Sequence, residues 1–286
     1  MITYFQAIVL GVIQGVTELF PISSLGHSVI VPSLLGWNIN QSSNFFVIFL
    51  VGVHLATALV LLGFFFADWM LIVKGVFRSI FNMRIERGDI YAKIGWLIII
   101  GTIPAGLVGL VFQKKLQALF ALPEYAAAFL ILNGLILLGA ESLRKRKVQI
   151  ADEGNSVDEG ISKVSSFQAF KIGCAQCLAL IPGLSRTGST LGGGLLVGLD
   201  HEQAARFSFL LATPLIFSAA VLKLPGLLHI PGSGAKEIVL IGAISAAVGA
   251  YASVKFLTSY FKANRLTPFA IYCVLAGLIS FFILIR

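Results

Sequence analysis

The sequence predicts an all-α polytopic membrane protein, with six transmembrane helices plus two re-entrant broken helix pairs arranged as an inverted repeat. Three observations carry this. The 286 residues are 57% hydrophobic and only 12% charged, with a mean hydropathy of +0.93, too apolar for a water-soluble domain. Six continuous apolar stretches each run for roughly 20 residues, the length that crosses the hydrocarbon core of a bilayer. Two further apolar regions are interrupted at mid-length by Pro followed by Ser, Gly or Arg, and they fall at matching places in the two halves. One integral-membrane domain, 1–286, is therefore expected, divided into a first half 1–143, a cytoplasmic linker loop 144–166 and a second half 167–286.

The first broken region, 2–36, contains QGVTELFPISSLGH from Gln14 to His27. Either side of Pro21 is too short to span comfortably, and irregular backbone at membrane depth is tolerated where it is buried in protein or lines a cavity. A removable signal peptide is not expected, since the stretch lacks a basic leader and a small-residue cleavage site and holds Glu18. Full spans follow at 44–66, 92–112 and 124–143. The loop after the first span carries Lys74, Arg78, Arg84, Arg87 and Lys93; the run Arg144 to Lys147 and Lys163 follow the third. The linker, with ADEGNSVDEG at its centre, is the one long polar stretch. The second broken region, 167–198, holds IPGLSRTGST from Ile181 to Thr190, and spans at 203–222, 236–257 and 267–285 complete the chain.

The basic residues set the expected sidedness. If both broken regions are re-entrant, those loops share one face with Lys255, Lys262 and Arg265, and Lys114, Lys115, Lys223, Lys236 and Arg286 lie opposite. The richer face should be cytoplasmic. Both termini then face outward, the first pair enters from outside and the second from the cytoplasm. An odd number of spans per half inverts one half relative to the other, and inverted repeats place their working site near the midplane where broken helices meet. The formal charge of +8 is accounted for by this sorting; nucleic-acid binding is not expected, since no basic patch is interleaved with exposed aromatics. Cys174 and Cys177 form a CxxC without a second ligand pair, and with Cys273 they read as small apolar fillers.

A carboxylate at bilayer depth costs several kcal/mol unless it faces a cavity or a partner, so Glu18 marks a functional site by default. Arg186 is its natural partner. Around Arg186, the hydroxyls of Ser185, Thr187, Ser189 and Thr190 at the start of a short helix suit a phosphate; the structural alternative is that they cap the helix and Arg186 pairs with Glu18 for assembly alone. Gln14 and Glu18 are four residues apart on one helical face and offer oxygen atoms to a divalent cation, Mg2+ or Ca2+. Ser23 and Ser24 follow the break, as caps or as phosphate ligand and nucleophile. Ser24 is the favoured nucleophile with His27 as acid or base, three residues on and expected within reach; attack by His27, with Ser24 binding a phosphate oxygen, is the alternative. His54, in an apolar span, is a weaker candidate, and structural or solvent roles are expected for His201 and His229.

On these residues the sequence resembles the undecaprenyl-diphosphate phosphatases of the bacitracin-resistance family. The first family motif matches at Gln14, Glu18, Pro21, Ser23, Ser24, Gly26 and His27, and the second at Pro182, Gly183, Ser185, Arg186, Thr187, Gly188 and Thr190. Thr187 stands for the usual Ser, Leu25 where Thr or Ser is common, and the apolar VIFLVGVH where many relatives carry Gln or His before a Gly. The Lys-x6-Arg-Pro motif of a second membrane lipid phosphatase family is absent. The resemblance implies hydrolysis of undecaprenyl (C55 polyprenyl) diphosphate to undecaprenyl phosphate and inorganic phosphate, dependent on a divalent cation. That reaction recycles the lipid carrier for peptidoglycan and other envelope polymers and confers bacitracin resistance. It also implies a site open to the outer face of the bacterial cytoplasmic membrane, with a homodimer as one assembly open to the chain. A polyprenyl-phosphate flippase built on the same inverted repeat is the alternative.

Overall fold

The computed structural model describes residues 2–118, 122–144, 156–228 and 234–286. The basic run beyond Arg144, the centre of the linker, His229 and the side chains of Lys114, Lys115 and Lys223 lie outside the described residues. The first broken region forms α1 (Tyr4–Leu19) and α2 (Ser24–Leu34). A reciprocal pair of hydrogen bonds between Thr3 and Gln6 starts α1, satisfying donors that a helix N-terminus otherwise leaves open. It ends where Phe20 turns extended (ψ 147°), as the residue before a proline prefers. The spans follow as α3 (Asn44–Phe64), then, after α4 (Phe66–Phe81), α5 (Ile90–Ala118) and α6 (Pro123–Arg144). After the linker helix α7 (Val157–Ser162), the second broken region forms α8 (Ser166–Gln176), a 3-10 turn (Cys177–Leu180) and α9 (Arg186–Val197). Spans α10 (His201–Leu228), α11 (Ala235–Tyr260) and α12 (Thr267–Leu284) close the chain.

Six of these helices, α3, α5, α6, α10, α11 and α12, are long and apolar enough to cross a membrane, so the protein is an all-α multi-pass membrane protein. Two expected loops are partly helical. Lys74 and Arg78 sit on α4, not in a loop; its exposed Phe77, Ile80 and Phe81 give it an apolar face too short to span. Part of the linker forms α7, begun by a capping box of Ser156 and Glu159. Arg206 of α10 ties both helices down, with Nε 2.7 Å from Asp158 Oδ1 and Nη2 2.9 Å from Asp68 Oδ1.

Helix neighbours come in exchanged pairs: α1 packs on α11 as α8 packs on α5, and α3 packs on α11 as α10 packs on α5. Two contacts join corresponding members of the halves, α6 with α12 and α3 with α10. Small residues let these backbones approach, which is how helices pack where lipid supplies no hydrophobic drive. A Cβ at Gly15 of α1 would lie 2.1 Å from the Ala246 carbonyl oxygen of α11. Outward residues such as Val111, Val248 and Ile279 stay exposed and suit a lipid surround. Fully buried Leu19, Leu130, Leu137, Phe207 and Phe209 belong to one core cluster that also takes in Ile22 beside the first break.

Candidate active site

Both breaks are built to bring a helix N-terminus inward. At the first, Ser23 takes φ +68° and ψ 101°, a strained conformation for a residue with a side chain and one found mostly at functional sites. Its hydroxyl accepts the Gly26 N–H at 3.2 Å, capping α2, and also the Gly183 N–H at 3.2 Å from the other break. At the second, Gly183 has φ +101°, and a Cβ there would stand 2.3 Å from the Ala126 carbonyl oxygen; only glycine fits. Ser185 then caps α9 by accepting the Gly188 N–H at 3.0 Å.

Asn133 of α6 pins the two breaks together. Its Nδ2 donates to the Pro21 carbonyl at 2.9 Å and its Oδ1 accepts the Ser185 N–H at 2.9 Å. Thr187 adds a third link, donating to the Glu18 carbonyl at 2.8 Å. The N-termini of α2 and α9 therefore converge beside the end of α1, where their free N–H groups and dipoles favour negative charge.

Glu18, 6% exposed, is the negative charge there. Its Oε1 accepts from Arg186, with Nη2 at 2.8 Å and Nε at 3.3 Å. Its Oε2 accepts from Gln14 Nε2 at 3.0 Å and from the Ser24 hydroxyl, and faces His54 Nε2 at 3.3 Å. Two polar atoms of this cluster, Arg186 Nη1 and Gln14 Oε1, are buried without a hydrogen-bond partner. An unmet buried polar atom costs about 1–3 kcal/mol, so an unmet donor and an unmet acceptor on residues bonded to the same carboxylate point to ligands that satisfy them.

His27 lies on the far side of Ser24. Its Nδ1 is 2.6 Å from the Ser23 carbonyl oxygen, and its Nε2 is 2.8 Å from the Tyr272 hydroxyl of α12. A carbonyl only accepts, so Nδ1 carries a hydrogen, and Tyr272 donates to Nε2 when the ring is neutral. The expected contact between Ser24 and His27 is not among the described hydrogen bonds; the Ser24 hydroxyl turns to Glu18 instead. Ser24 is the first residue of α2, so its side chain leans toward the break, whereas the His27 ring is drawn to α12.

Gln14, Glu18, Ser23, Ser24, Ser185, Arg186, Thr187 and Thr190 thus gather at one place, though several hydroxyls are already engaged. Ser23 and Ser185 cap helices, Thr187 holds the end of α1, and Thr190 donates to the Arg186 carbonyl at 2.9 Å and meets Ser208 Oγ at 2.5 Å. Among the expected phosphate ligands, Arg186 keeps an open donor in Nη1, and the Ser23 hydroxyl, which accepts twice, donates in none of the described hydrogen bonds. Three further residues take part: His54, the weaker candidate of the sequence, with Asn133 and Tyr272, which the sequence did not single out. His54 and Asn133 are polar residues in apolar spans, which is itself a flag, whereas Tyr272 becomes visible only once α12 is placed. His201 has the expected structural role: Nε2 is 2.8 Å from Glu141 Oε2, which also accepts the Leu266 N–H at 3.2 Å, and it does not enter this cluster.

Fold and site together define an integral-membrane protein with a polar, charged centre buried where two broken helix pairs meet. Comparison with known proteins agrees with that class. An "Undecaprenyl-diphosphatase" of Mycolicibacterium paratuberculosis is 45% identical over 293 residues, covering 96% of this chain and 95% of its own. One of Acidiphilium cryptum is 46% identical over 281 residues, with coverages of 96% and 95%. "Undecaprenyl-diphosphatase 2" of Chromobacterium violaceum is 44% identical over 280 residues, covering 96% of each chain. The description "Bacitracin resistance protein BacA" matches residues 7–279, and the chain belongs to that family.

Proposed function

We infer that this chain is a membrane enzyme that hydrolyses undecaprenyl diphosphate to undecaprenyl phosphate and inorganic phosphate, thereby conferring bacitracin resistance. The observation that carries the mechanism is the buried Glu18 with Arg186 on one oxygen and Ser24 on the other, next to the unmet Arg186 Nη1. Arg186 clamps the diphosphate through its open nitrogen, aided by the converging N-termini of α2 and α9. The Ser24 hydroxyl, already donating to Glu18, attacks the terminal phosphorus. A bond from Ser24 Oγ to phosphorus forms as the anhydride P–O bond breaks, the serine proton passes to Glu18, and undecaprenyl phosphate leaves. Water then attacks the phosphorus as the Ser24 Oγ–P bond breaks, His27 taking the water proton once its Nε2 exchanges Tyr272 for that water and Glu18 returning its proton to Ser24 Oγ, so that inorganic phosphate leaves.

A divalent cation fits the residues present. Among the described residues no group of three His, Cys, Asp or Glu side chains gathers as a metal cage. A cation held by one carboxylate and completed by substrate phosphates needs none. Glu18 supplies the carboxylate, and the buried, unpartnered Gln14 Oε1 suits a cation better than the apolar core. When bound, such a cation offsets charge on the phosphoryl oxygens.

The inverted repeat is part of this reading. The exchanged helix pairs are what two halves related by a two-fold axis in the membrane plane would give, and Lys74 and Arg78 on α4 with Lys163 just after α7 argue for a cytoplasmic face there, with the site opening outward from the bacterial cytoplasmic membrane. The test is direct: purified protein in detergent with a divalent cation should release one phosphate per undecaprenyl diphosphate and leave undecaprenyl phosphate. Absence of phosphate release across a series of divalent cations would reject the reading.

A further inference from the structure

His54 has no part in the mechanism above, yet its ring is aimed into the site. Its Nδ1 lies 2.7 Å from the Leu50 carbonyl oxygen. That oxygen can only accept, so Nδ1 carries a hydrogen, and Nε2 either donates from a protonated ring or presents its lone pair from a neutral one. Nε2 faces Glu18 Oε2 at 3.3 Å, an ion pair when the ring is protonated and two facing electron-pair donors when it is neutral. The neutral arrangement is stable when a cation is shared between them. Ligand atoms about 2.1 Å from one metal ion, at angles near 90–110°, stand roughly 3.0–3.4 Å apart. Anchoring of the second ring nitrogen to a backbone carbonyl is also what metal-bound histidines show, since it fixes the ring and the tautomer.

A second observation points to the same place. Gln14 Nε2 is 3.0 Å from that same Glu18 Oε2, and Gln14 Oε1 is buried with no partner. The two amide atoms are interchangeable by turning the group over, which brings the orphaned oxygen round to the carboxylate and imidazole. Glu18 Oε1 is engaged by Arg186, and Oε2, which also accepts the Ser24 hydroxyl, is the oxygen that faces His54 and Gln14.

We propose that His54 is the third protein ligand of the divalent cation, through Nε2 beside Glu18 and Gln14, and that it makes this a mixed nitrogen and oxygen site which takes a first-row transition cation ahead of Mg2+ or Ca2+. The physical reason is that imidazole nitrogen suits borderline metals, whereas Mg2+ and Ca2+ prefer oxygen alone. The inference rests on the divalent-cation reading given above.

Mn2+ is the probe. Purified full-length protein is titrated with Mn2+ alone and followed by electron paramagnetic resonance, with pulsed detection of directly coordinated 14N. The wild type should bind Mn2+ and show imidazole nitrogen coupling. His54→Asn should lose the coupling and weaken Mn2+ binding by about tenfold or more, the scale that losing even an outer partner of a ligand reaches. Less Mg2+ should then displace Mn2+ from the variant. A wild-type Mn2+ signal without 14N coupling, or coupling that survives in His54→Asn and vanishes in His27→Asn, would overturn the assignment while leaving the cation reading intact. No Mn2+ binding by the wild type, or binding unchanged in Glu18→Gln, would remove both. The wild-type spectrum decides even if the variants fail to fold.

Discussion

Glu18 accepts from Gln14, Ser24 and Arg186 and faces His54, so its loss should be felt in two ways. Glu18→Gln leaves Arg186 buried without its counter-charge, and breaking a buried pair from one side costs about 3–5 kcal/mol. Thermal unfolding in detergent should show that loss alongside a fall in phosphate release. Gln14→Ala removes one neutral donor and should cost about 1 kcal/mol. Equal effects of the two substitutions would contradict the central place given to the carboxylate. At the neighbouring position, Ser24→Ala should be the more complete knockout and His27→Ala should keep residual turnover, since a general acid or base contributes about 10²- to 10⁴-fold. Higher activity in Ser24→Ala than in His27→Ala would transfer the nucleophile to His27. Glu18 and Arg186 were legible from sequence because a charge in lipid-grade sequence needs a reason. Tyr272 was not: a tyrosine on a lipid-facing helix says nothing until the rotation of α12 shows its hydroxyl 2.8 Å from His27.

Among the helices, the link between the breaks is Asn133 on α6. Replacing it by Leu would strip a partner from both the Ser185 N–H and the Pro21 carbonyl, at about 1–3 kcal/mol for each buried group left unmet. Asn133→Leu should therefore unfold at lower temperature and turn over more slowly although it touches no reacting atom; unchanged turnover would mean the breaks hold their register without it. Gly15→Val tests the α1–α11 seam. Its added Cβ would collide with the Ala246 carbonyl, and overpacking of this kind costs about 1–3 kcal/mol or more. The six spans were readable from apolar length alone, because no other feature produces such runs. Helix α4 was not, because its basic residues imitate a loop while Phe77, Ile80 and Phe81 on the same helix supply the apolar face.

For the whole molecule, the exchanged pairing of α1 with α11 and α8 with α5 is what two repeated halves would give, and an odd number of spans in each half would invert one relative to the other. The Pro-x-x-Ser echo at Pro21 and Pro182 hinted at it, but four residues are too few to fix an orientation. Single cysteines at exposed Asn40 and Ser166, in a background lacking the three native ones, should label from opposite faces of sealed cells and inverted vesicles; labelling from one face would sink the inverted arrangement. The central claim is that Ser24 from one break and Arg186 from the other act on one phosphate. It is tested most directly by comparing phosphate release from undecaprenyl diphosphate in Ser24→Ala and Arg186→Lys, with folding of each verified by its thermal transition. An ammonium cannot reproduce the planar fork of a guanidinium, and a charge-assisted contact is worth about 1.5–3 kcal/mol, roughly ten- to a hundredfold in rate. Both variants, one from each break, are expected to lose at least that much turnover; wild-type turnover in either folded variant would contradict the account.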